Sequence, residues 1–242
     1  MNILLLLGGL DIIVSALIKL LVPPLPAEPL VGHMRIVDKF NLFPPTTYVS
    51  KATLKIFQER KDIIEYRQAN LQNEGNFNSR IPPLSPSNSL STAVVSKAFT
   101  DPSPNGQPYA YLVDSTGDLT PGRPPEIYVA NTFNITIYIA HGAHKYRNET
   151  PGAIKAYIRL APPWYIHTDI KKRYKESDPD GWIPRDQRCV WWNESLRVIG
   201  SLEGLPLIVL RTGFVYGEGF SRFESRSHSA VLRPPQVTYV ID

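Results

Sequence analysis

The chain has 242 residues, and its 43% hydrophobic and 20% charged residues are typical of a folded globular protein rather than a disordered one. The net charge of +4 comes from scattered side chains, and acidic residues directly follow the densest basic run, at 171–175, so the sequence predicts no nucleic-acid-binding surface. The single cysteine, Cys189, excludes an internal disulfide framework and a cysteine-rich zinc site.

Residues 1–21 are strongly apolar and admit two interpretations. As one helix they would form a membrane anchor or a targeting segment, for example a mitochondrial one. As two elements they would form a buried strand over 3–7, a turn at Gly8-Gly9 and a helix over 11–21. The glycines, Asp11 and Lys19 interrupt the run of about 20 apolar residues that a membrane span needs. Asp11 and Lys19 also suit opposite ends of a helix dipole, so we predict strand, turn and helix in a cytoplasmic protein.

The remaining elements are separated by many of the 23 prolines, which helix interiors and central strands exclude. Apolar runs predict strands at 33–38, 63–69, 109–113, 154–160 and 205–210, and helical character is predicted at 50–60, 90–99, 126–146 and 190–202. Residues 73–91, rich in Asn, Ser and Pro, predict a loop or an insertion. Six strands alternating with helices predict a doubly wound parallel α/β sheet covered on both faces. Such sheets bind ligands at the carboxyl ends of their strands.

Three features of the sequence lie where these strands end. They are Gly8-Gly9 after the first strand, Asp38 at the end of the second, and the segment Leu205-Pro-Leu-Ile-Val-Leu-Arg-Thr-Gly-Phe-Val-Tyr-Gly-Glu-Gly219. Together they resemble the extended short-chain dehydrogenases/reductases, the NAD-dependent epimerase/dehydratase family. The resemblance implies a Rossmann-type domain over 1–220, a tail over 221–242 in place of most of the family's substrate lobe, and hydride transfer on a small or sugar-nucleotide substrate.

The resemblance also implies a cofactor site for NAD. Glycines after the first strand let backbone amides approach the pyrophosphate at a helix N-terminus. A carboxylate such as Asp38 accepts hydrogen bonds from the adenosine ribose and repels a 2′-phosphate, which favours NAD over NADP. The residues implied are Gly8, Gly9, Leu10, Asp11, Ile12, Asp38, Asn70, Leu71, Thr116 and Gly117.

Two positions depart from the family's Gly-x-x-Gly-x-x-Gly loop. Aligned on Gly8, the second glycine is Asp11 and the third is Val14. Asp11 would place a negative charge beside the pyrophosphate, which opposes binding electrostatically. Val14 replaces the glycine that lets the first helix pack closely on its strand.

The family's catalytic residues are also missing from their expected places. The helix before the sixth strand has no Tyr-x-x-x-Lys pair, and Arg188 and Trp192 occupy the corresponding positions. Ala161 ends the fifth strand where a hydroxyl is expected, which leaves Tyr165 as a candidate phenol nearby. The sequence therefore leaves two hypotheses: an NAD-dependent oxidoreductase, epimerase or dehydratase, and a non-catalytic dinucleotide sensor or structural subunit.

Two further clusters are candidate sites. The Trp-rich region 164–192 could anchor loops in a core or bind a partner protein, and the second hypothesis would use it for a partner. His141 and His144 could share one helix face, but no acidic partner accompanies them, so we predict no metal site.

Overall fold

The computed structural model describes residues 3–8, 12–43, 49–69, 71, 97–116, 125–161 and 187–211; for 12–13, 125–132, 161, 187–193 and 211 the description covers the backbone. Its six strands are β1 (Ile3–Leu7), β2 (His33–Asp38), β3 (Ile64–Gln68), β4 (Tyr111–Asp114), β5 (Ala156–Ala161) and β6 (Leu207–Arg211). All neighbouring strands pair in parallel. They form one sheet in the order β3-β2-β1-β4-β5-β6. The order reverses between β1 and β4, as in a Rossmann-type sheet.

The helices are α1 (Ile12–Leu21), α2 (Lys51–Glu59), α3 (Pro125–Glu149) and α4 (Gln187–Gly200), and residues 97–100 are also helical. Successive side chains of β1 point to opposite faces. Leu4 and Leu6 pack with residues of α1 and α2, while Leu5 and Leu7 pack with residues 98–99, α3 and α4. Because β1 is buried on both faces, its sequence is aliphatic throughout. The predicted doubly wound sheet, covered on both faces, is confirmed.

Helix α2 shows how local chemistry sets the end of an element. Ser50 is its N-cap, and the Ser50 Oγ accepts a hydrogen bond from the backbone N–H of Thr53 at 3.1 Å. Arg60 is its C-cap and is buried. The Arg60 guanidinium donates to the carbonyls of Pro23 and Ala27. A single arginine thereby ties the proline-rich loop after α1 to the end of α2.

The predicted and observed bounds differ by two residues at the start of β5. The strand was predicted from residue 154, but it begins at Ala156. Ile154 is completely buried and has a φ of 43°, a left-handed conformation that a strand cannot include. Its N–H donates to the carbonyl of Tyr109 instead, at 2.9 Å. Hydrophobicity marks Ile154 as a core residue but does not reveal its backbone conformation.

Three glycine turns lie at the amino-terminal edge of the sheet. Gly106, Gly152 and Gly204 precede β4, β5 and β6 and have φ values of 71°, 79° and 78°. A Cβ added at any of them would meet no atom within 4 Å. Across the described residues, no helix is both long and apolar enough to cross a membrane.

Candidate functional site

The carboxyl ends of β1 and β4 form the point where the strand order reverses, and Gly8 lies directly beyond β1. Its φ is 82°, and an added Cβ would lie 2.6, 2.7 and 2.8 Å from the Cγ2, Cα and N atoms of Thr116. The Gly8 N–H donates to the carbonyl of Val37 at 2.9 Å, extending the ladder between β1 and β2. Both the backbone conformation and the closeness of Thr116 therefore require glycine here.

Residues 115 and 116 join the end of β4 to the end of β1. The Ser115 N–H donates to the carbonyl of Leu7 at 2.9 Å, and the Ser115 hydroxyl donates to the carbonyl of Gly8 at 2.7 Å. Thr116 lies against Gly8 and is itself buried. The backbone at the reversal point is thus closely packed.

A fully buried ion pair lies beneath this junction. Asp114 at the end of β4 and Arg159 on β5 are both 0% exposed, and the Arg159 Nη1 lies 2.5 Å from the Asp114 Oδ1. The same carboxylate accepts hydrogen bonds from the N–H and hydroxyl of Thr116, at 2.9 and 2.6 Å. Its second oxygen accepts from the Tyr157 hydroxyl at 2.7 Å. Asp114 therefore has the set of donors that a buried carboxylate needs.

The guanidinium of Arg159 extends the network in the other direction. Its Nη2 donates to the Thr116 carbonyl at 2.7 Å and to the Thr136 Oγ1, on α3, at 3.0 Å. Burial and the charge of Asp114 raise the pKa of Tyr157 well above its ordinary value. The Tyr157 phenol consequently stays protonated as a hydrogen-bond donor and cannot act as a general base at neutral pH.

Asp38 lies at the carboxyl end of β2, as predicted, and is 2% exposed. Its Oδ1 accepts a hydrogen bond from the N–H of Phe40 at 3.0 Å, which fixes the turn after the strand. The hydroxyl of Tyr66 donates to the carbonyl of Phe40. Burial and the nearby Asp38 charge raise the pKa of Tyr66. The centroid of the Phe40 ring, in the turn after β2, lies 5.2 Å from the Lys39 Nζ, and both Phe40 and Phe43 are exposed.

The other residues implied by the resemblance are described only in part. Leu71 is buried in the core with β1, and the backbone of Ile12 begins α1. Gly9, Leu10, Asp11, Asn70 and Gly117 lie outside the described residues, as does Tyr165. So do the side chains of the Trp-rich region 164–192; Arg188 and Trp192 are placed on α4 by their backbone.

Two of the departures from the family pattern can be located. Val14 is completely buried between α1 and the sheet, so the helix packs there on an aliphatic side chain rather than on a glycine. The described part of β5 ends at Ala161, which pairs with Arg211 at the carboxyl edge. Ala161, which has no hydroxyl, therefore lies at the carboxyl edge of the sheet, where ligands of such sheets bind.

A second buried arginine lies on the same face of the sheet but away from the reversal point. The Arg35 side chain, on β2, is 1% exposed, and its Nε donates to Glu65 at 2.8 Å. Its terminal nitrogens donate to the carbonyls of Ala98, Asp101 and Pro102, at 3.2, 2.8 and 2.9 Å. Arg35 thereby holds the helical residues 97–100 and the segment that follows them against the sheet.

Arg159, Thr136 and Asp114 were not predicted from the sequence as parts of the site. The available signal was the arginine itself. A charged residue within an apolar strand of a sheet that is covered on both faces must find a buried partner, because an unpaired buried charge is very costly. Asp114, at the end of the neighbouring strand, is the acid that meets this need.

Comparison with known proteins adds information on the fold. No protein-family model matches the chain, and no curated protein matches it significantly. Solved structures do match. A UDP-glucuronic acid 4-epimerase from Bacillus cereus, in complex with NAD, has a TM-score of 0.56 and 14% identity and matches over 88% of this chain and 57% of its own.

Two other matches are similar in extent. A UDP-glucose 4-epimerase from Thermotoga maritima, with UDP-glucose, has a TM-score of 0.54 and 13% identity, covering 86% of this chain and 54% of its own. A dTDP-glucose 4,6-dehydratase from Bacillus anthracis, in complex with NAD, has a TM-score of 0.55 and 11% identity, covering 87% and 54%. The chain spans a little over half the length of these proteins. The likeness shows that it has their Rossmann-type fold, that of NAD-dependent sugar-nucleotide epimerases and dehydratases.

Proposed function

We propose that this chain binds NAD at the carboxyl edge between β1 and β4 and is related in function to the epimerases and dehydratases whose fold it has. The observation that carries the proposal is Gly8: at the point where the strand order reverses, the chain has a glycine with a φ of 82° and no room for a Cβ. In Rossmann-type sheets this turn is where the pyrophosphate approaches the backbone and the N-terminus of the first helix.

This geometry supports one placement of the proposed cofactor. The pyrophosphate would lie over Gly8 at the N-terminus of α1, and the adenosine would extend toward the end of β2. Asp38 lies at that end, where its negative charge favours a ribose with free hydroxyls over a 2′-phosphate. The exposed Phe40 and Phe43, which follow β2, offer apolar surface. NAD is therefore the proposed cofactor, rather than NADP.

The proposed reaction is hydride transfer between NAD and a small or sugar-nucleotide substrate, as in the proteins that share the fold. A general acid or base is needed for it. Tyr157 is committed to Asp114, so the phenol that we propose for this role is Tyr165, beyond the end of β5. This assignment rests on sequence position and on the resemblance.

A second function, a dinucleotide sensor or structural subunit without turnover, is favoured by one specific observation. The described part of β5 ends in Ala161 at the carboxyl edge, where the family has a hydroxyl. Such a protein could use the Trp-rich region 164–192 to contact a partner. The two functions share the cofactor and differ in chemistry: only the enzyme would reduce its bound NAD when a sugar nucleotide such as UDP-glucose is added.

The proposal is tested by calorimetric titration of the purified protein with NADH. We expect micromolar binding by the wild type and a loss of about tenfold or more in Gly8→Ala, since the added Cβ displaces Thr116 at the binding edge. Gly152→Ala is the matched control, because Gly152 has nearly the same φ, no neighbour within 4 Å and a place at the opposite edge. Equal binding by wild type and Gly8→Ala would contradict the proposed site.

Asp11 gives a separate test of the same function. If its charge opposes the pyrophosphate, Asp11→Gly should bind NADH more tightly than the wild type. No binding by the wild type together with binding by Asp11→Gly would describe a fold that has lost its cofactor, and would favour the sensor or structural alternative.

A further inference from the structure

We propose that Arg159 and Asp114 are positioning residues of the dinucleotide site, which act by holding Thr116 against Gly8. This inference rests on the proposed function, since it assigns these residues a part in NAD binding. Neither residue would touch the cofactor. Both would act through the backbone that forms the floor of the site.

Thr116 is held by hydrogen bonds at three of its atoms. Its N–H and hydroxyl both donate to Asp114, and its carbonyl accepts from Arg159 at 2.7 Å. Arg159 and Asp114 are in turn held to each other at 2.5 Å and are completely buried. Such a group of contacts allows Thr116 one position, because any shift would leave a buried polar atom without its partner.

Thr116 in turn restricts Gly8, the residue directly after β1. A hypothetical Cβ on Gly8 would lie 2.6–2.8 Å from Thr116, so the two residues are in direct contact. Ser115 adds hydrogen bonds to the carbonyls of Leu7 and Gly8. Gly8, over which the pyrophosphate would lie, is thus packed against a backbone segment that Arg159 fixes.

Arg35 allows positioning to be separated from simple stability. It is nearly as buried as Arg159 and lies on the same face, but the three backbone carbonyls that it binds belong to residues 98, 101 and 102. Loss of either guanidinium should destabilise the fold. Only the loss of the Arg159 guanidinium should also change the backbone at the carboxyl edge where NAD is proposed to bind.

The test compares Arg159→Lys with Arg35→Lys, each confirmed by circular dichroism to be folded at the temperature of titration. Lysine keeps the charge but cannot reach Asp114, Thr116 and Thr136 together. We expect NADH affinity to fall about tenfold or more in Arg159→Lys and to stay within about twofold of the wild type in Arg35→Lys. An equal loss in both variants, or no loss in either, would overturn the inference.

Amide hydrogen exchange gives a second readout that does not depend on NAD. Exchange at residues 115 and 116 should be about tenfold faster in Arg159→Lys than in Arg35→Lys, because the Thr116 N–H loses its fixed acceptor. If the wild type does not bind NADH, the proposed function fails and exchange alone decides whether Arg159 positions Thr116. Unchanged exchange would overturn the positioning role whatever the titration shows.

If Arg159→Lys does not fold, Tyr157→Phe replaces it. This change removes one donor to Asp114 and leaves the ring in the core. We expect about threefold weaker NADH binding and faster exchange at Thr116. If both the NADH affinity and the exchange rate at Thr116 stay at their wild-type values, the positioning role is contradicted.

Discussion

At Gly8 a side chain would be opposed both by the backbone conformation and by a steric overlap of its Cβ. Any side chain there must adopt a φ of 82°, and its Cβ must also occupy space held by the backbone of Thr116. At Gly152 a side chain is opposed only by the backbone conformation, because nothing lies within 4 Å. The comparison of these two glycines therefore separates backbone strain from steric overlap.

We predict that Gly152→Ala lowers the free energy of unfolding by about 1 kcal/mol and that Gly8→Ala lowers it by about 3 kcal/mol. The difference comes from the displacement of Thr116 and its buried contacts. Urea denaturation followed by circular dichroism measures both values. Equal losses in the two variants would mean that Thr116 moves away at no cost.

His33 is the residue whose burial affects stability over the ordinary pH range. It is buried at the start of β2, its Nε2 lies 3.4 Å from the Glu65 Oε2, and Arg35 and the ring of Tyr109 are its other charged or titratable neighbours. Burial lowers the pKa of His33 below 6.5, outweighing the attraction of Glu65. Burial opposes ionisation of Glu65 too, but hydrogen bonds from Arg35 and Arg67 lower its pKa overall.

At the scale of the element, the strands were predictable and the buried charges were not. β1 and β2 have the predicted bounds. Each is a short run with apolar residues at its centre, and a run of that length is typical of a buried strand. Arg159 forms its ion pair with Asp114, which lies 45 residues earlier in the sequence. Local patterns carry no information on such a contact, so the network beneath the site could be found only once the strands were placed side by side.

Helix α2 offers a local test of what starts an element. Ser50→Ala removes the hydrogen bond to the Thr53 N–H, and we expect it to lower the free energy of unfolding by about 1 kcal/mol. Ser50→Asp keeps a side-chain acceptor at the N-cap and should have little effect. Both are measured by urea denaturation. A loss in Ser50→Asp as large as in Ser50→Ala would show that the serine matters for another reason, such as its contact with the Thr53 hydroxyl.

At the scale of the whole molecule, the buried arginines within the described strands lie on one face of the sheet. These are Arg35 and Arg159, on the face opposite α1 and α2, and His33 lies on that face too. Burial of a titratable group such as His33 makes stability depend on pH. The titration of His33 should therefore be visible in the global stability.

We predict that stability falls as the pH is lowered below about 6.5. In the unfolded chain His33 takes up a proton near that pH, while in the folded chain its lowered pKa keeps it neutral, so the unfolded state binds more protons. The slope is at most about 1.4 kcal/mol per pH unit, and this contribution stops growing once folded His33 is also protonated.

The measurement is urea denaturation at a series of pH values. His33→Gln should lose this part of the slope, and His141→Gln, a change at an exposed histidine on α3, is the control. If the slopes of His33→Gln and wild type coincide between pH 6.5 and the onset of carboxylate titration, near pH 4.5, His33 is not the group responsible.

The glycine turns at 106, 152 and 204 give a practical means of handling this protein. Each has open space where a side chain would begin, and all three lie at the edge of the sheet opposite Gly8. A tether attached in the turn at Gly152 would hold the molecule on a surface with its carboxyl edge facing the solution. Binding experiments on immobilised protein could then expose the candidate site to ligand without altering it.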